Sequence, residues 1–208
     1  MTLAKFTIIG IGTLSRNKFW GETERARSGV ATCTLLDAGG KRLIVDPSPA
    51  PDLMEPMLFA RSGLRPAAIE LVFLTHFHGD HRYGLDLFAG KPWLMAAKGI
   101  EEWKQRAPKD AELANQFVAA EERLPEGVSL FPSPGHLDGH CSLLCQTKWG
   151  RLIVAGDAVM TEEFFDAGEG FQNSVDFSRA ARTIEDIKKA ADLIVPGHGN
   201  YFLNKALP

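Results

Sequence analysis

Residues 70–81 read Glu-Leu-Val-Phe-Leu-Thr-His-Phe-His-Gly-Asp-His, and this stretch decides how the rest of the chain is read. Glu70–Leu74 is an apolar run of the length of a buried strand. It ends in Thr75 and then in His76, His78, Asp80 and His81, within six residues. In extended backbone, side chains two residues apart project to the same side, so His76 and His78 face one point. Gly79 permits a sharp turn that redirects Asp80 and His81 towards a neighbouring point. One segment can thus feed two metal positions.

The other histidines follow the same grammar. None of the six precedes residue 76; His136 and His140 lie in Pro-Gly-His-Leu-Asp-Gly-His, and His198 in Pro-Gly-His-Gly. Asp157 follows a strand-like segment and a glycine. Each of these groups comes directly after a predicted strand or a Pro-Gly turn, which places all of them in loops along one sheet edge. Clustered imidazole and carboxylate at such loops describe a metal site better than scattered core histidines do. Mixed nitrogen and oxygen donors suit two divalent cations, Zn first, with Fe or Mn as alternatives.

Working outward, strands are expected at 6–9, 31–36, 42–45, 92–96, 128–131, 142–146, 151–155 and 192–195. Asp37 to Gly40 is a hairpin turn signal. Helices are expected at 52–62, with Gly63 as its C-cap, at 98–109, 110–118 and 177–190. Gly10-Ile11-Gly12 lacks the third glycine of a dinucleotide loop and reads as a strand-end turn. With 208 residues against about 150 per domain, and no Pro/Gly/Ser linker, one domain over 1–208 is expected.

Composition narrows the function classes. Lys and Arg number 23 against 26 Asp and Glu, so the net charge of −3 argues against broad phosphate neutralisation, and nucleic acid is not the expected partner. Three cysteines make a disulfide framework improbable, and Cys33, Cys141 and Cys145 read as small buried hydrophobes. The N-terminus carries one Lys and a short apolar run cut by Gly10 and Gly12, unlike an export signal. No apolar run approaches 18 residues, so no membrane span is expected and the expected address is cytoplasmic.

The segment 75–81 resembles the H-x-H-x-D-H signature of the metallo-β-lactamase superfamily. The order of the remaining motifs, His136, Asp157 and His198 at separations of 55, 21 and 41 residues, is similar to that of the glyoxalase II and lactonase branches. The resemblance spans nearly the whole chain. It implies an α/β fold, an αββα four-layer sandwich, with the metals at one sheet edge. It further implies that His76, His78 and His136 hold one ion, that Asp80, His81 and His198 hold the other, and that Asp157 bridges them. The nucleophile is then a hydroxide shared by the two ions, and Asp80 has a catalytic part in orienting it or passing a proton. His140 is expected beside the ligands rather than among them, and Asp138 as a surface turn residue.

No branch fits outright. Metallo-β-lactamases proper generally lack the bridging Asp, and flavodiiron reductases replace the second His by Glu and carry a flavin domain. The glutathione-binding segment of glyoxalase II would follow His198, after which ten residues remain. Lactonases of one well-known type carry Tyr three residues after the bridging Asp, where this chain has Met160. Ribonuclease-type members carry an additional domain. The expectation is a dinuclear hydrolase of a small ester-like substrate, a lactone or thioester. A phosphodiesterase or nuclease of the same fold, or a non-catalytic metal-binding protein, stand as alternatives. Phe164, Phe165, Phe171, Phe19 and Trp20 either wall a substrate pocket or cover core. Glu162, Glu163, Asp166 and Glu169 disfavour a highly anionic substrate if they face the site.

Overall fold

The computed structural model describes residues 3–205; Met1, Thr2 and residues 206–208, the ends of the expected 1–208 domain, lie outside them. The chain folds into two sheets. The first holds β1 (Lys5–Gly10), β2 (Cys33–Ala38), β3 (Lys41–Val45), β4 (Leu71–Phe73), β5 (Trp93–Met95) and β6 (Phe117–Ala119), in that spatial order. The second has the order β11-β10-β9-β8-β7, from β7 (Val128–Pro132), β8 (Cys141–Thr147), β9 (Gly150–Gly156), β10 (Leu193–Pro196) and β11 (Phe202–Leu203). Strands β3 to β6 run parallel, and so do β9 and β10.

Strand alternation builds the layers. Leu43, Val45, Leu71 and Phe73 of the first sheet pack with Leu143, Leu152, Val154, Leu193 and Val195 of the second, forming the core between the sheets. Their alternate neighbours face outward. Ile44, Val72 and Met95 meet Met54 and Leu58 of helix α1 (Pro51–Ser62) and Ile100 and Trp103 of α2 (Ala97–Arg106). Ile153, Ala155 and Ile194 meet Ile184 and Ile187 of a helix at Phe177–Ala190, together with Phe165. The order is helix, sheet, sheet, helix: the αββα sandwich.

Local signals explain most element ends. Gly39 and Gly40, with φ of 55° and 73°, supply the left-handed pair that a two-residue hairpin between β2 and β3 requires. Gly63 ends α1 in the left-handed region, its amide donating to Phe59 O. Asp176 caps Phe177–Ala190 by accepting from the Arg179 amide at 2.8 Å. The burial of Ala180, Thr183, Ile184 and Ile187 marks the stripe of that helix facing the sheet.

The helix expected over 110–118 is corrected. Only α3 (Ala111–Ala114) is helical there, and Phe117–Ala119 is β6, because Phe117 packs with Trp93 and Trp103 and pairs in parallel with β5. Tertiary pairing overrides local helix preference at that point. Helix α4 (Glu162–Ala167) and the short β11 were not foreseen; the last helix, Phe177–Ala190, is α5. All three cysteines are free and buried, and burial pushes the Cys141 and Cys145 thiols up to about 12. Among the described residues, no helix is long and apolar enough to cross a membrane.

Candidate metal centre

The ends of β4, β7, β9 and β10 open onto one edge of the sandwich, and the loops that follow them bring the histidines together. His76, His78, His136 and Asp157 offer ligand atoms that all lie within 4.8 Å of one another, and Asp80, His81 and His198 form a second such group. His78 Nδ1 lies 3.0 Å from both His76 Nε2 and His136 Nε2.

Asp157 stands between the groups. Its Oδ2 faces His136 Nε2 at 3.3 Å and His76 Nε2 at 3.7 Å. Its Oδ1 faces His81 Nε2 at 3.0 Å and His198 Nε2 at 3.4 Å. Asp80 Oδ2 is 3.6 Å from His198 Nε2. The turn at Gly79 runs through a 3-10 turn, Gly79–His81, without positive φ, and a Cβ there would meet nothing within 4 Å. That glycine gives open space rather than a conformation that only glycine can adopt.

Partners behind the imidazoles fix which nitrogen faces inward. Asp46 is buried at the end of β3 and was missed in the sequence. It accepts from Thr75 N at 2.9 Å, from Thr75 Oγ1 at 2.8 Å and from His81 Nδ1 at 2.9 Å. Because the Thr75 hydroxyl donates to Asp46, it accepts from His76 Nδ1 at 3.1 Å. His198 Nδ1 donates to the carbonyls of Thr13 at 3.1 Å and Val30 at 2.9 Å. His76, His81 and His198 therefore all turn Nε2 towards Asp157. Gly156 makes this packing possible. Its φ is 53° and a Cβ would come within 2.5 Å of Thr75 Oγ1.

A second missed carboxylate holds the loop of His136. Glu102, buried on α2, accepts from the Asp138 amide at 3.1 Å, the Gly139 amide at 2.5 Å and Arg106 Nε at 2.7 Å. Asp138 is half-buried and meets Arg106 and Arg179. His140 lies outside both groups, its ring 5.0 Å from that of His76. Its Nδ1 is 2.8 Å from Ser133 Oγ, and its buried Nε2 has no hydrogen-bond partner among the described residues.

The electrostatics divide the site. Burial drives His76 and His78 towards the neutral form and lowers His136 to about 4. Burial also opposes charge on His81 and His198, but Asp157 outweighs it, with Asp46 adding at His81, and both pKa values rise. Asp157 pays for its own burial through His81, His198 and His136, which hold its carboxyl well below the usual range. Among the described residues the buried His81 Nε2 and Asp157 Oδ1 have no hydrogen-bond partner, although they approach each other at 3.0 Å. The neutral imidazoles of His76, His78 and His136, and the inward His81 Nε2 and Asp157 Oδ1, are what cations would satisfy, so the residues fit a metal pair.

Of the aromatics, Phe164 and Phe165 are core. Trp20 lines a cavity of about 450 Å³ that opens on His198. Met160, at the position occupied by Tyr in some lactonases, is buried against Leu14 and Phe164 and offers no hydroxyl.

An αββα sandwich with a two-group His/Asp cluster at its sheet edge defines the class. A family model of the metallo-β-lactamase superfamily matches residues 26–198, and the chain belongs to that superfamily. It is similar to the β-lactamase-like protein 2 homolog of Caenorhabditis elegans, 30% identical over 175 residues, covering 79% of this chain and 54% of that one. It is also similar to the N-acyl homoserine lactonase of Bacillus cereus, 27% identical over 150 residues, covering 68% and 60%. The chain thus spans roughly half to three-fifths of these relatives. Its fold matches a metallo-β-lactamase-fold protein of Thermotoga maritima with TM-score 0.70 at 20% identity, over 97% of this chain and 99% of that one. It also matches an N-acyl homoserine lactone hydrolase with its product N-hexanoyl-L-homoserine at the catalytic metal centre, with TM-score 0.68 at 22% identity, over 91% and 89%.

Proposed function

We propose that this chain is a dinuclear metal-dependent hydrolase of a small ester-like substrate, a lactone or thioester, working as one domain over 1–208. The observation that carries the reading is the placement of Asp157, whose two oxygens face two separate sets of imidazole nitrogens. His76, His78 and His136 would hold one cation. Asp80, His81 and His198 would hold the other, with Asp157 between them. Bound cations, Zn before Fe or Mn, supply a lowered pKa for water and polarisation of the scissile carbonyl.

The chain's own residues supply the rest. Asp46 and Thr75 keep His81 and His76 in the tautomers that leave Nε2 free as a ligand. Asp80, whose side chain is 29% exposed, is the carboxylate open to an incoming molecule, and it carries the proton to the leaving group. The lactonase relatives support the choice of an acyl substrate. Three buried free thiols suit a reducing, cytoplasmic setting.

The test is acid release by zinc-loaded protein over a panel of lactones, thioesters and phosphodiesters, with Asp157→Ala as the blank and bound zinc counted in both. Lactone or thioester turnover that disappears in the variant, together with loss of at least one zinc, is the expected result. Turnover of phosphodiesters alone would replace the acyl reading by a phosphodiesterase. Full activity with both ions in Asp157→Ala would overturn the bridging role.

A further inference from the structure

At the end of the sandwich remote from the histidines, the start of β1 meets the β8–β9 hairpin. Ala4 N donates to Gln146 O at 2.8 Å, and Ala4 and Thr147 pair as a parallel bridge. Thr147 Oγ1 holds the hairpin tip, accepting from Trp149 N at 3.1 Å and donating to Gly150 O at 2.8 Å. The seven residues of β9, at about 3.3 Å each, lie between this tip and Asp157. The seam encloses a cavity of about 280 Å³, walled by Leu3, Ala4, Phe6 and Trp149 and flanked by Lys5 and Lys148. Trp149 is 68% exposed, the most exposed large apolar side chain among the described residues.

The charges around this cavity are one-sided. Lys148 Nζ lies over the Trp149 ring, 4.5 Å from its centroid. Among the described residues, every other cation stacked on an aromatic ring is met by a carboxylate: Lys18 by Glu169, Arg27 by Glu22, Arg65 by Glu55, Arg82 by Asp110 and Lys188 by Glu185. Lys148 has no such partner among them. Lys5 stands opposite Asp37 in register, yet the two form no ion pair, and no carboxylate is among the described residues that line the cavity. We propose that this cavity binds an alkyl chain ending in a single negative charge, as in a medium-chain carboxylate. The chain would cover the exposed face of Trp149 and the side chains of Leu3 and Phe6, and the carboxylate would pair with the two ammonium groups. An exposed ion pair gives no more than about fivefold in affinity, so burial of the chain supplies most of the binding and the lysines select the anion. The proposal stands apart from the hydrolase reading, because no group of the metal centre takes part.

The probes are octanoate, octanol and acetate, titrated calorimetrically into the zinc-loaded protein at low salt and below the concentration at which octanoate forms micelles. Octanoate should bind about tenfold tighter than octanol, the effect of two ion pairs of middling strength, and acetate should not bind at the cavity. Trp149→Ala should cost octanoate about tenfold, and Lys5→Gln and Lys148→Gln about threefold each. Phe59→Ala, which removes an exposed ring whose stacked Arg65 already has Glu55 as partner, should change nothing. High salt should erase the preference for octanoate over octanol. The same Trp149-dependent binding should appear in Asp157→Ala, which separates this cavity from any carboxylate held at the metal centre. Octanol binding as tightly as octanoate at low salt would overturn the assignment, as would wild-type octanoate affinity in both Trp149→Ala and Lys148→Gln. Capture of the protein by phosphatidylglycerol vesicles through Trp149, with no binding of free octanoate, would replace the small anion by a membrane surface and equally overturn it.

Discussion

Replacing Asp46 by Asn isolates the effect of one charge on the tautomer of one ligand. Asp46 sits at φ 48°, a left-handed conformation that Asn tolerates as well as Asp does, so the backbone is not perturbed. The carbonyl of Asn can keep the bond from the Thr75 amide. The other position changes sign: where Asp46 Oδ2 accepts from His81 Nδ1 and Thr75 Oγ1, an NH2 group would donate. His81 then answers with a bare Nδ1 and moves its proton to Nε2, the atom that faces Asp157. A protonated Nε2 cannot ligate. Loss of such a supporting partner weakens metal binding by about 10- to 100-fold, or about 1.4–2.8 kcal/mol. Two carboxylate hydrogen bonds are exchanged for weaker ones, at about 1.5–3 kcal/mol of folding stability out of an expected total of about 5–15 kcal/mol. The variant should fold, bind its first zinc as before and its second weakly. Competitive zinc titration gives the two affinities, and nitrogen-15 histidine spectra give the tautomer. Two zinc affinities within twofold of wild type, with His81 still protonated at Nδ1, would refute the reasoning.

The remaining predictions probe the shell and the folding linkage. His140→Ala should keep both zinc ions while lowering turnover, because His140 packs on His76 without joining either group; metal analysis showing one ion lost would make it a ligand. Gly156→Ala forces a Cβ into Thr75 Oγ1 and a residue with a side chain to φ 53°, and should destabilise the fold by about 2–4 kcal/mol, read from the denaturant midpoint. A cost below 0.5 kcal/mol, about the level of a neutral surface change, would contradict that packing. Stripping the cations with a chelator removes about 4 kcal/mol for each one that was present at about a thousand times its Kd. For a chain of this size each such loss lowers Tm by about 8–16 °C, and an unchanged melting curve would contradict the linkage.

What was legible in the sequence is what adjacent residues encode. Leu71 to Phe73 runs apolar in sequence because β4 is covered on both faces, Val72 towards α1 and α2 and its two neighbours towards the second sheet. The histidines were legible because each follows a strand, so chain order and sheet edge coincide. Asp46 was not. A single Asp before Pro47 looks like a turn residue, and its partners Thr75 and His81 lie 29 and 35 positions away. Glu102 hides for the same reason among the charges of α2, with its amide partners 36 and 37 positions off. β6 misled because Phe117 and Val118 extend a helical pattern locally, and only pairing with β5 makes them a strand. A metal position needs several ligands at one point, so evolution can place them in short motifs that a reader sees. The groups that orient those ligands need one good contact each and can come from anywhere in the fold. For that reason Asp46, rather than another histidine, is the residue whose substitution best tests whether the site works as the geometry requires.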